Sequence, residues 1–437
     1  MEFGSVNDDK GVGVVRVKPL GAGGGGGEKS SKTGVSVIEY TNSNVTVDKK
    51  CYSYPKMVVP PDMSQESLFN EFMPNCIDGL FDGFNANIIA YGQTGSGKTY
   101  TVFGPPGCMA NAAKGLYGTS IYENYGLFPR TLQEVFHRVM DLKSSDPLNS
   151  YVMTCSAVEL SVMGNKDLFT KSSKQSHADQ KYKSWSEGVV INKTDKPPRL
   201  YGQTELIIDR NDDLIRVFKA IAVRNTAGTL MNDSSSRSHC IVALTLWKYI
   251  KDSKNVSRSR LQFCDLAGSE RMKNAHVEGA TFKKPNGEMN LDAVQGMLTN
   301  FSLVELSKCL EDIAMTRKSR LKFSFSAYIT DLLFLLSGSL TGNALTACFV
   351  CISQAMSNKG ESRNTLDFGE RFSRLSIHRR KVEEKLTDEI EKDCNNLIKD
   401  NRSHMKTTSA NNPYLIMREA QIRDCEHILH VIKILSN

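Results

Sequence analysis

Hydrophobic and polar residues follow two different periods along the chain, and the period changes repeatedly. Apolar or alternating runs typical of strands cover residues 12–17, 87–91, 151–160, 240–247, 261–265 and 345–352. Apolar positions three and four apart, as in amphipathic helices, cover residues 62–81, 127–142, 212–223, 301–314, 330–336 and 365–375. Strands that alternate with helices predict an α/β fold in which a mainly parallel central sheet carries helices on both faces.

The last part of the chain has a different pattern. From residue 382 onward, apolar residues lie about four apart in a charged background, which predicts an amphipathic helix that stops near Pro413 and a second helix over 414–435. A stretch rich in Gly, Ala and Pro at 104–126 is predicted to be a surface loop. We therefore predict a disordered N-terminus or tag over residues 1–10, one large domain over 11–378 and a helical neck or tail extension over 379–437.

The composition is that of an ordinary globular protein, with 40% hydrophobic and 24% charged residues among 437. No apolar run reaches the roughly 18–20 residues that cross a bilayer, so we expect no membrane partner. The net charge of +7 is mild for this length, which gives no reason to expect nucleic acid and favours an acidic partner surface. Eleven scattered cysteines indicate a reducing compartment with free thiols.

A phosphate-binding loop follows the strand predicted at 87–91. Its eight residues fit G-x-x-x-x-G-K-[ST] without a mismatch and are Gly92, Gln93, Thr94, Gly95, Ser96, Gly97, Lys98 and Thr99. Glycines let backbone N–H groups turn inward around phosphate oxygens, and the start of the next helix adds its positive dipole end. The Lys98 side chain can reach the β- and γ-phosphates, and the Thr99 hydroxyl can bind Mg²⁺. The loop therefore predicts a bound nucleoside triphosphate.

Two further motifs lie downstream of this loop. Residues 232–239 read N-D-S-S-S-R-S-H, and residues 265–270 read D-L-A-G-S-E. A carboxylate at a strand end beside a phosphate loop, here Asp265, is well placed to hold Mg²⁺ through water, and Gly268 offers a backbone N–H to the γ-phosphate. The Ser235 and Ser236 hydroxyls can complete the metal shell and position the attacking water. Charges on Arg237 and Glu270 allow these two side chains to pair across the loops.

In this order, the three motifs resemble those of the kinesin motor domain, a P-loop nucleotide hydrolase. Several other segments resemble the family as well. Residues 16–19 are similar to its R-x-[RK]-P strand end, residues 126–130 to its G-[IL]-[IF]-P-R, and residues 365–371 to its T-L-x-F-[AG]-x-R helix. Tyr100 stands where the family stacks a ring on the base. The resemblance covers roughly residues 11–378.

The resemblance implies ATP and ADP as nucleotides, Mg²⁺ as the metal and microtubules of α/β-tubulin as partner, in the cytoplasm and on the cytoskeleton. It implies that Arg16 and Pro19 border the adenine, and that Thr99, Ser236 and, through water, Asp265 hold Mg²⁺. The implied catalytic residues are Ser235, Ser236, Arg237, Gly268 and Glu270. In the family's mechanism, γ-phosphate closes both loops and brings Arg237 onto Glu270, and this pair helps to activate a water.

The region where kinesins present the basic helix Y-R-D-S-K-[LM]-T-R departs from the family pattern. Here Tyr328, Asp331 and Phe334 stand at positions expected to be cationic, on the face expected to meet the filament. The chain between residues 280 and 300 is also longer than usual. Four nearby cations are candidates for microtubule binding instead: Arg317, Lys318, Arg320 and Lys322. An ordinary solvated turn is the alternative interpretation of this charge run.

Two functions remain open at this stage. The first is a microtubule-dependent ATPase that moves along microtubules or remodels them. The second is a kinesin-derived tubulin-binding or scaffold protein with slow and weakly stimulated ATP turnover. Any lever is expected after Arg371, an arrangement commoner in plus-end motors, although residues 375–390 do not clearly resemble the neck linker of a processive motor. We expect any dimer to form through sequence outside this chain.

Overall fold

The computed structural model describes residues 12–20, 38–53, 57–115, 123–161, 164–170, 189–192, 199–227, 237–270, 291–319, 328–377, 379–408, 412 and 414–436. The strands are β1 Val12–Lys18, β2 Ile38–Tyr40, β3 Asn44–Val47, β4 Lys50–Ser53, β5 Met57–Val59, β6 Ala86–Tyr91, β7 Asn149–Leu160, β8 Lys166–Asp167, β9 Val190–Asn192, β10 Arg199–Tyr201, β11 Leu206–Ile208, β12 His239–Ile250, β13 Asn255–Asp265, β14 Leu345–Ser353 and β15 Lys385–Leu386.

The α-helices are α1 Gln65–Phe81, α2 Lys98–Val102, α3 Cys108–Ala112, α4 Leu127–Ser145, α5 Asn211–Ala227, α6 Leu291–Ser319, α7 Asp331–Leu340, α8 Lys359–Phe372, α9 Thr387–Thr407 and α10 Tyr414–Ser436. In the part of the chain that the structure describes, none of them is long and apolar enough to cross a bilayer.

One large sheet forms the centre of the fold, with the strand order β11-β7-β12-β13-β6-β14-β1-β5. Neighbours from β13 to β5 are parallel, whereas neighbours from β11 to β13 are antiparallel. The α/β prediction is confirmed, and the sheet is mixed: the predicted parallel arrangement holds for the half that contains β6. Because β12 and β13 are joined by a short turn, they can only pair as an antiparallel hairpin.

Helices cover both faces of the sheet. Helices α1, α3, α4 and α5 share one hydrophobic core with the sheet, and α6, α7 and α8 share the other. Strands β6 and β14 are buried along their whole length, as expected for parallel strands with helices on both sides. In the β13–β6 pairing, Asp265 lies opposite Ala90, so the carboxyl ends of both strands meet at one edge. This edge carries the phosphate loop.

Two predicted segments differ in the structure. The stretch at 104–126, predicted to be a surface loop, contains α3, whose Cys108, Met109 and Ala112 are buried in the core, so this part of the prediction is wrong. The first helix of the extension begins at Thr387 instead of residue 382. Residues before it are extended because Val382 N–H donates to the Gly83 carbonyl and β15 pairs with β13.

The helical extension packs against the antiparallel half of the sheet. Helices α9 and α10 form an antiparallel hairpin, which we call the tail hairpin. Val431 and Leu435 of α10 share a buried cluster with Val152, Trp247 and Val256 of the sheet. The apolar stripe that predicted these two helices is therefore covered partly by the sheet and partly by the hairpin itself. The predicted N-terminal segment 1–10 lies outside the described residues.

Candidate active site

The phosphate loop is held tightly between β6 and α2. Gly92 has φ of 149°, and a Cβ built on it would lie 2.3 Å from the carbonyl oxygen of Cys351 on β14. A side chain cannot fit at this distance, which explains why glycine follows β6 directly. The Ser96 hydroxyl donates to the Gln93 carbonyl at 2.8 Å and closes the loop from inside.

Lys98 begins α2 and folds back into the loop. Its ammonium group donates to the carbonyls of Gly92, at 2.9 Å, and Gln93, at 2.8 Å. Burial lowers the pKa of this ammonium group, because an interior environment disfavours charge. The positive charge is thus fixed at the centre of the loop, where phosphate oxygens would meet it.

Thr99 and Asp265 lie side by side at the edge of the sheet. The Thr99 hydroxyl donates to Asp265 Oδ2 at 2.8 Å. Asp265 is fully buried at the end of β13, and its Oδ1 atom has no hydrogen-bond partner among the described residues. A hydroxyl and a carboxylate with a spare oxygen are the hard donors that Mg²⁺ prefers, directly or through water, so the residues fit this metal. The other predicted ligand, Ser236, lies outside the described residues, as does Ser235.

Arg224 of α5 neutralises this buried carboxylate. Its Nη1 atom lies 3.1 Å from Asp265 Oδ2, and its Nε atom lies 3.7 Å from the carboxylate of Glu159 on β7. The Nη2 atom donates to the Ser238 carbonyl at 3.2 Å. Arg224 is not among the predicted site residues, although it fits the family's R-x-x-x-x-T-x-x-N segment before the first downstream motif. It contacts the ends of β7 and β13 and the residue before β12.

Glu270 contacts the phosphate loop directly. Its Oε2 atom accepts from the Thr94 N–H at 2.7 Å, and its Oε1 atom accepts from the Thr94 hydroxyl at 2.6 Å. A Cβ on Gly268 would lie 2.3 Å from both the Thr94 hydroxyl and Glu270 Oε2, so only glycine allows this contact. The predicted pair of Arg237 with Glu270 stays a prediction. The Arg237 carbonyl accepts from the Thr299 hydroxyl of α6 at 2.6 Å.

His239 connects the two downstream motifs with α6, a role that its sequence position did not reveal. Its Nδ1 atom accepts from the Ala267 N–H at 3.2 Å, and its Nε2 atom lies 2.8 Å from the Ser302 hydroxyl. Burial, together with the charges of Arg224 and Lys98, lowers the pKa of His239 to about 3. The ring is therefore neutral and carries its proton on Nε2, which donates to Ser302.

A family model for the kinesin motor domain matches residues 16–375. The chain belongs to the kinesin motor family. It is 28% identical to kinesin-like protein KIN-12B of Arabidopsis thaliana over 93% of this chain and 29% of that protein. It is 31% identical to kinesin-like protein klp-19 of Caenorhabditis elegans over 83% of this chain and 30% of that protein. The chain thus spans less than a third of the length of these curated relatives.

Solved kinesin structures have the same fold. A fast kinesin superposes with a TM-score of 0.66 at 22% identity, covering 86% of this chain and 95% of the other. A KIF14 dimer with AMP-PNP, in complex with a microtubule, gives a TM-score of 0.66 at 24% identity, with coverage of 86% and 97%. These likenesses support the α/β fold in which β6, the phosphate loop and β13 form one edge.

The residues predicted to border the adenine in this kinesin chain lie together at the end of β1. The Arg16 guanidinium stands over the Tyr100 ring, 4.9 Å from its centre, and donates to Gln65 Oε1 at 2.9 Å. Tyr100 is partly exposed and Pro19 is exposed beside it. An exposed ring backed by a guanidinium is a suitable platform for a stacked base. Gln65 also holds the Tyr100 carbonyl and is a further residue that sequence reasoning missed.

The departures from the kinesin pattern are only partly on the surface. Tyr328 and Phe334 are 5% and 6% exposed, so the expectation that they face the filament is wrong. Tyr328 donates from its hydroxyl to Asp312 at 2.6 Å, and Asp331 accepts from Asn165 at 2.9 Å. Tyr328 and Phe334 are therefore packing residues, whereas Asp331 is half-buried. The two buried side chains do not by themselves put an uncharged surface in the filament's way.

The four candidate cations for microtubule binding stand where α6 ends. The backbone of Arg317 and Lys318 continues this helix, but their side chains lie outside the described part of the structure. Arg320 and Lys322 lie wholly outside it. Their role stays a prediction.

Proposed function

We propose that this kinesin-family chain is an ATP-hydrolysing, microtubule-binding motor that converts switch closure at the γ-phosphate into force or microtubule remodelling. The observation that supports this most is the meeting of Lys98, Thr99, Asp265 and Glu270 around one loop. These groups provide a fixed cation, a candidate metal-binding edge and a carboxylate that contacts the phosphate loop from a separate segment. Phosphoryl transfer to water needs this kind of positioning and charge stabilisation more than covalent chemistry.

We assign roles to the chain's residues on this basis. Residues 92–98 hold the phosphates through backbone N–H groups and the Lys98 ammonium, while Arg16, Pro19 and Tyr100 take the adenine. Thr99, Ser236 and, through water, Asp265 hold Mg²⁺, which when bound neutralises phosphate charge. The remaining catalytic set positions the attacking water and the γ-phosphate and consists of Ser235, Ser236, Arg237, Gly268 and Glu270.

The contact between Glu270 and Thr94 suggests how the loops exchange partners. Both oxygens of Glu270 are engaged by Thr94, whose N–H lies in the loop that holds the phosphates. We propose that Glu270 leaves Thr94 and pairs with Arg237 when the γ-phosphate takes the Thr94 N–H. His239 and Thr299 connect both motifs to α6 by hydrogen bonds, so this exchange has a direct route to that helix.

Helix α6 then carries the signal toward the filament. The last turn of this helix contains Arg317 and Lys318, and the sequence continues with Arg320 and Lys322. We propose that these four cations meet the acidic surface of tubulin. We further propose that residues 11–378 form the motor and residues 379–437 a neck or tail extension. We also propose that the chain acts in the cytoplasm on the microtubule cytoskeleton, and that any dimer forms through sequence outside this chain.

ATP turnover with and without microtubules tests the proposal. A motor should hydrolyse ATP slowly alone and at least about tenfold faster with microtubules, and Lys98→Ala should lose both rates because its cation is gone. Microtubule binding without any stimulation of turnover would instead support the scaffold function. The absence of the family's basic filament helix from the sequence keeps that second function open.

Charge reversal tests the filament site. Arg317→Glu/Lys318→Glu/Arg320→Glu should weaken co-sedimentation with microtubules, most strongly at low salt, because surface charges are screened over about 8 Å at physiological salt. A matched control reverses three exposed cations of α9: Lys392→Glu/Lys399→Glu/Lys406→Glu. Equal binding by both variants at every salt concentration would reduce residues 317–322 to an ordinary turn.

A further inference from the structure

Two cysteines meet inside the tail hairpin. All eleven cysteines of the chain carry free thiols, and most are scattered singly through the sheet and its helices. Cys394 of α9 and Cys425 of α10 are each 5% exposed and share a small buried cluster with Ile398. They stand on the two facing sides of one helix pair, away from the nucleotide site. Nothing in the proposed ATPase mechanism uses them.

The register of the hairpin places the two thiols opposite each other. Arg418 Nη1 donates to Asn401 Oδ1 at 3.0 Å across the two helices. Moving seven residues, or about two turns, toward the start of α9 leads from Asn401 to Cys394. Because the helices are antiparallel, the same step toward the end of α10 leads from Arg418 to Cys425. Consistent with this register, the two cysteines share one buried cluster with Ile398.

This contact also prepares one thiol for reaction. The hydrogen bond from Cys425 lowers the pKa of Cys394, because it stabilises the thiolate. A thiolate is the form that attacks disulfides, so Cys394 is the nucleophile of the pair and Cys425 the resolving thiol. A disulfide needs Cβ atoms roughly 3.5–4.5 Å apart, which requires facing positions on neighbouring helices such as these.

We propose that Cys394 and Cys425 form a reversible disulfide that locks the tail hairpin, with a low-molecular-weight disulfide such as glutathione disulfide as oxidant. The Cys394 thiolate attacks one glutathione sulfur, breaks the S–S bond and releases one glutathione thiolate. Cys425 then loses its proton to water and attacks the Cys394 sulfur, which releases the second glutathione thiolate. Two protein thiols are oxidised, and one glutathione disulfide is reduced to two glutathione molecules.

The bond would act on the docked hairpin as a whole. Ile390 of α9 and Ile428 of α10 contact both the cysteine cluster and the cluster around Trp247. The strand β15, which pairs with β13, leads directly into α9. A covalent link between α9 and α10 therefore holds the packed face of the hairpin together and, through it, the segment that joins the hairpin to the sheet.

Peptide mapping of the whole chain tests the proposal. The reduced protein is treated with glutathione disulfide, and a non-reducing tryptic digest should yield residues 393–399 linked to residues 424–433, with a loss of two free thiols. Cys51→Ser removes an exposed cysteine and should leave the link unchanged. Cys394→Ser and Cys425→Ser should each abolish it, and dithiothreitol should reverse it in the native chain.

Two outcomes would overturn the proposal. One is glutathione on Cys51 while peptides 393–399 and 424–433 stay unlinked in the native chain. This measurement uses the native chain and does not depend on whether a variant folds. The other is a linked chain whose amide hydrogen exchange in α9 and α10 equals that of the reduced chain, since a lock should slow it at least about tenfold. Both readouts are independent of ATP turnover, so they are separate from the test of the motor function.

Discussion

Two arginine–carboxylate groups lie at opposite ends of strand β13 and differ in what surrounds them. At the carboxyl end of β13, Arg224 and Asp265 are 2% and 1% exposed and lie at the candidate metal-binding edge. On the antiparallel half, Glu205 is 8% exposed, but its partners Arg258 and Arg260 are 38% and 29% exposed. The first group is sealed inside the motor. The second lies at the seam where the tail hairpin meets the sheet, and we call it the seam cluster.

Two carboxylates at this seam differ in their titration: Glu205 stays charged near neutral pH, whereas Asp424 of α10 titrates there. Against the opposing effect of burial, Arg258 and Arg260 lower the pKa of Glu205 to about 2. Burial, together with the negative charge of Glu205, raises the pKa of Asp424 on α10 to about 7, while the Gly202 N–H donates to Asp424 at 3.1 Å. Burial lowers the pKa of the neighbouring His427. The buried pair of Arg224 and Asp265 lies at the candidate site, whereas the carboxylates at the seam can respond to pH.

Removing an arginine from each group should separate them most clearly. Arg224→Met leaves Asp265 and Glu159 without their buried cation, and we expect the free energy of unfolding in urea to fall by about 3–5 kcal/mol. Arg258→Met leaves Arg260 beside Glu205 and removes a half-exposed cation, so the loss should be about 1 kcal/mol or less. Equal losses would contradict the distinction between a sealed and an exposed group.

Glu270 tests the catalytic side of the parallel half. Glu270→Ala should still bind ATP, because the phosphate loop and Lys98 remain, but release phosphate about 100-fold more slowly or worse, since the group that positions water is lost. Phosphate release and titration with a fluorescent ATP analogue measure the two properties. Glu383→Ala removes an exposed carboxylate and serves as the control. Wild-type turnover in Glu270→Ala would disprove this assignment.

Packing beneath the tail hairpin can be tested with two neighbouring residues of α10. Leu435→Ala empties a site that is buried against the Trp247 cluster and should cost about 2 kcal/mol. Ile434→Ala, one position earlier and 40% exposed, should change stability by about 0.5 kcal/mol or less. Urea unfolding gives both values, and faster amide exchange in α10 of Leu435→Ala alone would locate the effect. Indistinguishable variants would mean that the hairpin is not held by this cluster.

A further test concerns pH. Because the pKa of Asp424 is about 7 in the docked state and 3.8 ordinarily, docking is most favourable at low pH and weakens as pH rises from about 4 to about 7. Asp424→Asn keeps an oxygen for the Gly202 N–H but cannot ionise, so α10 should show the same amide protection at about pH 5 and pH 8 after correction for intrinsic exchange. A native chain with equally flat protection would rule out this titration.

The phosphate loop and Asp265 are the parts of the candidate site that the sequence indicates most directly, and their role toward a nucleotide stays a prediction. The spacing of Gly92, Lys98 and Thr99 is read directly from neighbours in the chain, and Asp265 was found because it ends an apolar strand. Contacts that depend on tertiary folding were not predictable. Arg224, Glu159 and His239 come from separate elements that only the strand order β7-β12-β13 brings together.

The helical extension also has tertiary contacts that its sequence pattern does not reveal. An apolar stripe predicted α9 and α10, but a stripe does not say what covers it, so the packing on Trp247 was not foreseen. The start of α9 was placed five residues early because Val382 and Leu386 fit a helical period, whereas pairing of β15 with β13 holds them extended. Pairing with an open edge of β13 outweighed the local helical periodicity there.

The hydrogen bonds of His239 make it a spectroscopic probe of the motor. Its neutral ring accepts from Ala267 of the second downstream motif through Nδ1 and donates to α6 through Nε2. In an isotope-labelled protein, the two ring nitrogens would resonate at well-separated frequencies and report on the two contacts independently. If nucleotide breaks one contact before the other, a single imidazole spectrum would record the order of events between phosphate sensing and helix movement.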